Sequence, residues 1–361
     1  WAAHFKIEHA IAVNSATSGL YAAIGAINPE VGDEIIVSPY SMVASATCAL
    51  AFNAIPVFAD VDPKTFCLDP ESIKRCITER TKAIVVVHLF GQPADMDPII
   101  QLAREHGLYV IEDCAQAPGA SYKGRYAGTI GDIGVFSLNT HKTIQCGEGG
   151  VCVSNDDELA LRLKLIRNHG EACVDSMGYK NISNIIGQNY RMGELEAAIS
   201  SEQLKKLDSL NDARIRLADN LTELLRDSPA ITPPYVMPET KHVYYVYPML
   251  FNPELAQMSR KSFVEAVNAE GIQLYEGYVP PIYREPIFRQ KIAFGSQGFP
   301  WSATPSASLM KYEEGICPVC ERLFEHYLYW TPLIYPPLEL NHIETISKAF
   351  KKVLELGKGC L

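Results

Sequence analysis

The sequence predicts an α/β protein with a mostly parallel central sheet in a large N-terminal domain and a smaller α+β domain at the C-terminus. Three observations lead there. The first two thirds of the chain alternates short β-branched apolar runs with helical patterns, as in a parallel sheet covered on both faces. The texture changes beyond Pro233-Pro234, where aromatic and proline-rich stretches take over. The length of 361 residues also exceeds the roughly 250–300 at which one core usually stops growing.

Taken in order, Ala10-Ile11-Ala12-Val13 reads as a strand, followed by a helix near Ser18–Ile27. Glu34-Ile35-Ile36-Val37 is followed by a helix near Ser41–Phe52, and then by Pro56-Val57-Phe58-Ala59. After Pro70–Thr78 come the strand Ala83–Val87, a helix near Pro98–His106, and Tyr109-Val110-Ile111 leading into a turn at Asp113. Ile133–Phe136 and Val151–Val153 flank a glycine-rich loop. A long helical stretch from Glu194 to about Leu225 closes a domain spanning 1–225 and bridges to a second over 226–361. In the second, His242–Leu250 reads as a strand, Arg260–Glu270 as a helix and Tyr278–Phe288 as a proline-rich loop. A last helix runs near Ile343–Leu356.

Composition narrows the partners. Hydrophobic residues make up 47% and charged residues 20%, as in an ordinary globular protein. A formal charge of -10 argues against nucleic acid or an anionic membrane, since both require a basic face. No uncharged apolar run approaches a membrane span, and Trp1–Lys6 carries no signal-peptide pattern. Of ten cysteines, Cys48, Cys114 and Cys152 sit inside apolar runs, where a reduced thiol packs as a small hydrophobe. Cys317-Pro318-Val319-Cys320 has C-x-x-C spacing without a second pair or a following His-x-x-x-His, so buried or incidental thiols are expected there in place of zinc or redox use. The expected compartment is the reducing cytoplasm.

Chemistry concentrates in Ser137–Gly150. One lysine, Lys142, stands in a polar loop pinned between two apolar runs. An amine held there out of bulk water has a lowered pKa and suits Schiff-base chemistry, although the spacing also admits an ordinary lysine in a surface turn. Asp113 follows a strand and projects from its carboxyl end, where ligands of such sheets bind. A carboxylate so placed either holds a protonated pyridine nitrogen or caps the next turn. Asn14-Ser15-Ala16-Thr17-Ser18-Gly19 ends a strand and opens a helix, offering backbone N–H groups and hydroxyls to a phosphate or simply capping the helix.

Six segments occur together in order: Ala12–Leu20, Val31–Val37, Ile111–Ala117, Phe136–Gly150, Gly187-Gln188-Asn189-Tyr190-Arg191-Met192 and Gln203–Asp208. The ordered set resembles the DegT/DnrJ/EryC1/StrS family of sugar aminotransferases dependent on pyridoxal 5'-phosphate (PLP), a branch of the fold-type I (aspartate aminotransferase-like) enzymes. The resemblance covers nearly the whole chain. It implies that Lys142 forms the internal aldimine with PLP and then shuttles a proton, with a pyridoxamine form in the cycle. By the same resemblance Asp113 pairs with the pyridine nitrogen and Gln116 lies near the ring hydroxyl. Ala16, Thr17 and Ser137 hold the phosphate, and Asn189 reaches a partner's phosphate across a homodimer interface. Arg191 beside it is either structural or substrate-facing.

Three features depart from the family pattern or qualify it. The ring-stacking position is usually aromatic but falls here on Met42, with Tyr40 as a substitute. Family members carry some tens of residues before the segment that begins at Trp1, and these shape the pocket and interface. His141 precedes the lysine, whereas sugar-dehydrating relatives replace the lysine by histidine; the spacing from Ser137 puts Lys142 at the Schiff-base position. Tyr278 and Tyr283, in the proline-rich loop, either meet a sugar or pack the loop. The implied activity is transfer of an amino group from glutamate or glutamine to a keto-sugar. A nucleotide-linked ketosugar of cell-surface glycan or secondary-metabolite synthesis comes first and a cyclitol ketone second. A PLP-dependent sugar dehydratase and a non-catalytic sensor or scaffold are the competing readings.

Overall fold

The computed structural model describes residues 1–170 and 184–358. A short helix, α1 (Ala2–Phe5), leads into β1 (His9–Val13) and α2 (Ala16–Ile27). The main sheet continues with β2 (Glu34–Val37), β3 (Ile55–Phe58), β4 (Thr81–Val87) and β5 (Tyr109–Asp113). Helices α3 (Ala44–Leu50), α4 (Pro70–Cys76) and α5 (Met96–His106) fall between these strands. A small hairpin, β6 (Ser121–Tyr122) and β7 (Arg125–Tyr126), precedes β8 (Ile133–Ser137) and β9 (Gly150–Ser154).

The main sheet has seven strands in the order β1-β9-β8-β5-β4-β2-β3. β8, β5, β4, β2 and β3 run parallel, and β9 lies antiparallel between β8 and β1. Every residue of β2, β8 and β9 is buried, which requires cover on both faces and explains why these runs do not alternate with polar residues. The helix ends follow local chemistry. The Ser15 hydroxyl accepts from the Ser18 N–H to start α2, and Gly107, at φ 66°, closes α5 in a left-handed conformation. Gly19 lets α2 approach the sheet, since a Cβ there would stand 2.8 Å from Val135 Cγ1.

Beyond the sheet come α6 (Asp157–Arg167), α7 (Glu194–Leu204) and α8 (Leu207–Leu225). The long helical stretch predicted from Glu194 to Leu225 is therefore two helices, parted at Lys205-Lys206. A second sheet is assembled from β10 (Ile231–Thr232), β12 (Tyr247–Phe251), β13 (Tyr275–Glu276) and β14 (Leu328–Thr331) in the order β10-β12-β14-β13. Its core joins Leu217 and Leu221 of α8 to Phe251, Phe263, Tyr329 and, from the last helix Leu340–Lys358, Phe350. β11 (Thr240–Lys241) pairs instead with β6 of the small hairpin. No helix among the described residues is long and apolar enough to cross a membrane.

Two further expectations change in detail. The strand predicted over His242–Leu250 begins only at Tyr247. Before it, Val243 N–H and Tyr245 N–H donate to Gly91 and Phe90, while Arg214 takes the Tyr244 and Tyr245 carbonyls, so no sheet neighbour can. The segment 282–323 returns to the large sheet: Tyr283, Phe288 and Tyr312 pack edge-on against Phe58 of β3. Asp60 accepts from the Val319 and Cys320 N–H groups there, and both C-x-x-C thiols are buried and free.

Candidate active site

β5 and β8 are parallel neighbours, so the residues after their carboxyl ends meet above the sheet. The loop Leu138–Gly149 is closed on itself by Leu138 N–H to Gly149 O (2.8 Å) and Thr140 N–H to Gly147 O (2.9 Å). β9 then starts at Gly150, where a Cβ would stand 2.7 Å from the Ala16 nitrogen. Only glycine lets this strand pass so close to the first turn of α2. The result is a cavity of about 340 Å³ lined by residues of both segments and by Asp113, Gln116, Ser137 and Lys142.

Asp113, at the end of β5, is 4% exposed. Its Oδ2 accepts from Ser45 Oγ at 2.7 Å and its Oδ1 from Ala115 N–H at 3.1 Å, leaving acceptor capacity toward the cavity. Lys142 is partly buried, and among the described residues its Nζ makes no hydrogen bond or ion pair. The ammonium lies 4.6 Å from the centre of the Tyr245 ring. Burial lowers the Lys142 pKa, while the Asp113 carboxylate acts in the opposite direction. A carboxylate and a desolvated amine thus face one cavity, beside a helix N-terminus that Ser15 caps.

The other residues singled out in the sequence divide. Ala16, Thr17, Met42, Gln116 and Ser137 line the cavity, as does His141. Met42 is 65% exposed, whereas its alternative, Tyr40, is wholly buried and lies edge-to-face with Tyr278. The Gln116 amide is held at both ends: its Oε1 accepts from Phe90 N–H (2.7 Å) and its Nε2 donates to the Tyr278 hydroxyl (2.8 Å). Tyr278 lines the cavity through that bond. Tyr283 does not. It is fully buried, its hydroxyl donates to Glu321, and its ring packs on Phe58, so it has no face to offer a sugar.

Asn189 and Arg191 also lie outside the cavity. Both are exposed; the Asn189 carbonyl accepts from Asn14 Nδ2 and Arg191 donates to Asn168 Oδ1. Two residues were missed. Ser45 carries no sequence signal beyond being a serine on a buried helix face, and Tyr245 sat within a stretch read as plain strand. Behind the site, His88 and Glu112 form a fully buried pair, 2.9 Å apart. His88 Nδ1 accepts from Ala94 N–H, so its Nε2–H donates to Glu112, which also accepts from Gly128, Ile130 and Gly131 N–H. Burial pushes the Glu112 pKa up, but the His88 and backbone donors outweigh it and the net shift is downward. With Cys114 these ligand atoms lie within 4.8 Å of one another, yet the His88 and Glu112 atoms already have protein partners.

A mixed seven-stranded sheet carrying a lysine loop, a strand-end carboxylate and a helix N-terminus around one cavity suits an enzyme that works through a lysine amine. Comparison with known proteins is more particular. Residues 1–312 match the model of the DegT/DnrJ/EryC1/StrS aminotransferase family, and the chain belongs to that family. It is similar to L-glutamine:scyllo-inosose aminotransferase of Streptomyces griseus, with 35% identity over 360 residues, 96% of this chain and 82% of that one. It also resembles GDP-perosamine synthase of Caulobacter vibrioides, 39% identical over 268 residues, 74% of this chain and 71% of that one. The aminotransferase from Psychrobacter cryohalolentis superposes with a TM-score of 0.85 at 31% identity, covering 98% of this chain and 89% of that one. The protein is an aminotransferase.

Proposed function

We propose that this aminotransferase uses PLP and moves an amino group from glutamate or glutamine to the keto carbon of a sugar, in the first place a nucleotide-linked ketosugar. The observation that carries the reading is the Lys142 amine, free of bonds to the described residues and lowered in pKa by burial, in the same cavity as the Asp113 carboxylate. A cyclitol ketone is the second reading, supported by the likeness to the scyllo-inosose enzyme over 96% of the chain.

The residues present suit the cofactor. Asp113 has acceptor capacity for a pyridinium N–H, and Ser45 holds that carboxylate in place. The first turn of α2, with Ala16 and Thr17, and the Ser137 hydroxyl offer donors to a phosphate. Met42 can cover one side of a ring. PLP, when bound, supplies an electron sink for the carbanion left at the donor carbon. The chain's own contribution is Lys142, whose amine takes and returns the proton at that carbon. Gln116 and Tyr278, hydrogen-bonded to each other, form one wall of the cavity.

A homodimer completes the reading. Helix α7 leaves Leu195 78% and Ile199 49% exposed, and Ile186 is 75% exposed nearby in sequence. An apolar surface of that kind calls for cover, and the exposure of Asn189, outside its own cavity, supports a reading in which it reaches a second copy's phosphate. The test is an absorption spectrum of the purified protein with PLP, before and after L-glutamate or L-glutamine. A visible band of lysine-bound cofactor that collapses to the pyridoxamine absorption is expected. A protein that gives no such band sinks the reading, as does a band unmoved by any amino acid.

A further inference from the structure

A second chamber, of about 460 Å³, shares His141, Lys142, Tyr245 and Tyr278 with the cavity just described. Its far wall holds Arg214, Tyr275, Trp330 and Tyr335. Arg214 and Lys142 are the only cationic side chains of the Lys or Arg type in that lining, and no acidic residue is among them. The guanidinium of Arg214 lies 5.7 Å from the Tyr335 ring centre. Its Nη1 donates to the carbonyls of Tyr244 (3.2 Å) and Tyr245 (3.4 Å). Its Nε and Nη2 donate to nothing among the described residues, and no carboxylate there pairs with it. A planar guanidinium with one edge anchored and the other edge open is preset for a carboxylate.

We propose that Arg214 binds the α-carboxylate of the amino donor in this aromatic chamber, the one anion that glutamate and glutamine share. The inference rests on the aminotransferase reading and adds the place where the donor is recognised. Charge matching selects a carboxylate over a nucleotide diphosphate. Lys142 is committed to chemistry, which leaves a single cation for the ligand, enough for one negative charge and too little for a diphosphate's two or more. The anchored edge matters as well, because Arg214 holds the backbone of Tyr245, whose ring carries the Lys142 ammonium. Carboxylate recognition and amine placement therefore meet at one residue.

The test is equilibrium binding of glutaramate, which is glutamine without its amino group, to the wild-type protein and to R214Q and R214K. R214Q should weaken binding by roughly tenfold to a hundredfold, with R214K recovering part of the loss. The diamide of glutaric acid should bind the wild type as poorly as glutaramate binds R214Q. Equal binding of glutaramate to wild type and R214Q overturns the proposal, even if R214Q melts at a lower temperature, because Arg214 then only braces the Tyr244-Tyr245 backbone. Loss of uridine diphosphate binding in R214Q, with glutaramate unaffected, also overturns it. Should R214Q fail to fold, equal binding of glutaramate and the diamide to the wild type is decisive against it. The band of lysine-bound PLP, recorded on the same samples, reports separately on the aminotransferase reading.

Discussion

Glu112 and Asp113 are consecutive residues on one strand, equally deep, and the protein treats them in opposite ways. Glu112 is closed off, with His88 and three backbone N–H groups filling its two oxygens. Asp113 has one hydroxyl and one N–H and opens on the cavity. Strand alternation sends the two side chains to opposite faces of the sheet. A buried carboxylate with all its acceptors filled holds structure together, and one with capacity left over is available for chemistry. The same contrast separates Lys142, whose Nζ among the described residues has only a ring to lie against, from lysines such as Lys123, bonded to Asp97.

The strongest way to break the comparison is at the amine. Lys142→Ala should remove the visible band of lysine-bound PLP and lower turnover by about 10³-fold or more, measured by product formation with saturating donor. Ordinary steady-state transamination by this variant would mean that the open amine is not the catalytic one. Next comes the closed carboxylate. Glu112→Gln turns an amide NH2 toward backbone or His88 donors and should cost about 3–5 kcal/mol, seen as a lower urea midpoint. Asp113→Asn should shift that midpoint by no more than about 1 kcal/mol while losing most of the turnover. If the two variants behave alike, the distinction between filled and open acceptors fails.

Smaller effects sharpen it. Ser45→Ala removes one donor from Asp113 and should cost about 1 kcal/mol, with a several-fold weaker affinity for PLP in a spectrophotometric titration. The pH dependence of stability should carry the signature of both groups. Lys142 has its pKa lowered by burial, so between its folded and ordinary values the unfolded chain binds more protons. The cofactor-free protein therefore gains stability as pH rises through the window below about 10.4, and a Lys142→Met variant should lack that slope. Glu112, also lowered, contributes stability that is lost as pH falls through and below the usual glutamate range.

Much of this was legible in the chain. Ser15 before α2, the buried runs of the main sheet, and Lys142 in a glycine-rich loop between two strands are local patterns, and local patterns survive in sequence because backbone geometry depends on near neighbours. So do the Asp113 turn and the small polar residues of Ala16-Thr17. Contacts between distant segments have no such trace. Ser45 reaches Asp113 across 68 positions, and Gln116 reaches Tyr278 across 162. Tyr283 stays open in the sequence between meeting a sugar and packing its loop, because its return to the large sheet, against Phe58, cannot be seen from the loop that holds it.

The sequence by itself determined the alternation of strands and helices in the main sheet, the family and Lys142 as the candidate lysine, since each rests on periodicity or on an ordered motif. Only the tertiary structure decided which polar groups were left unfilled. Glu112 and Asp113 differ by their partners, and those partners come from helices and loops elsewhere in the chain. Arg214 became a candidate only once its anchored edge and its empty one could be told apart, because hydrogen-bond capacity is spent in three dimensions.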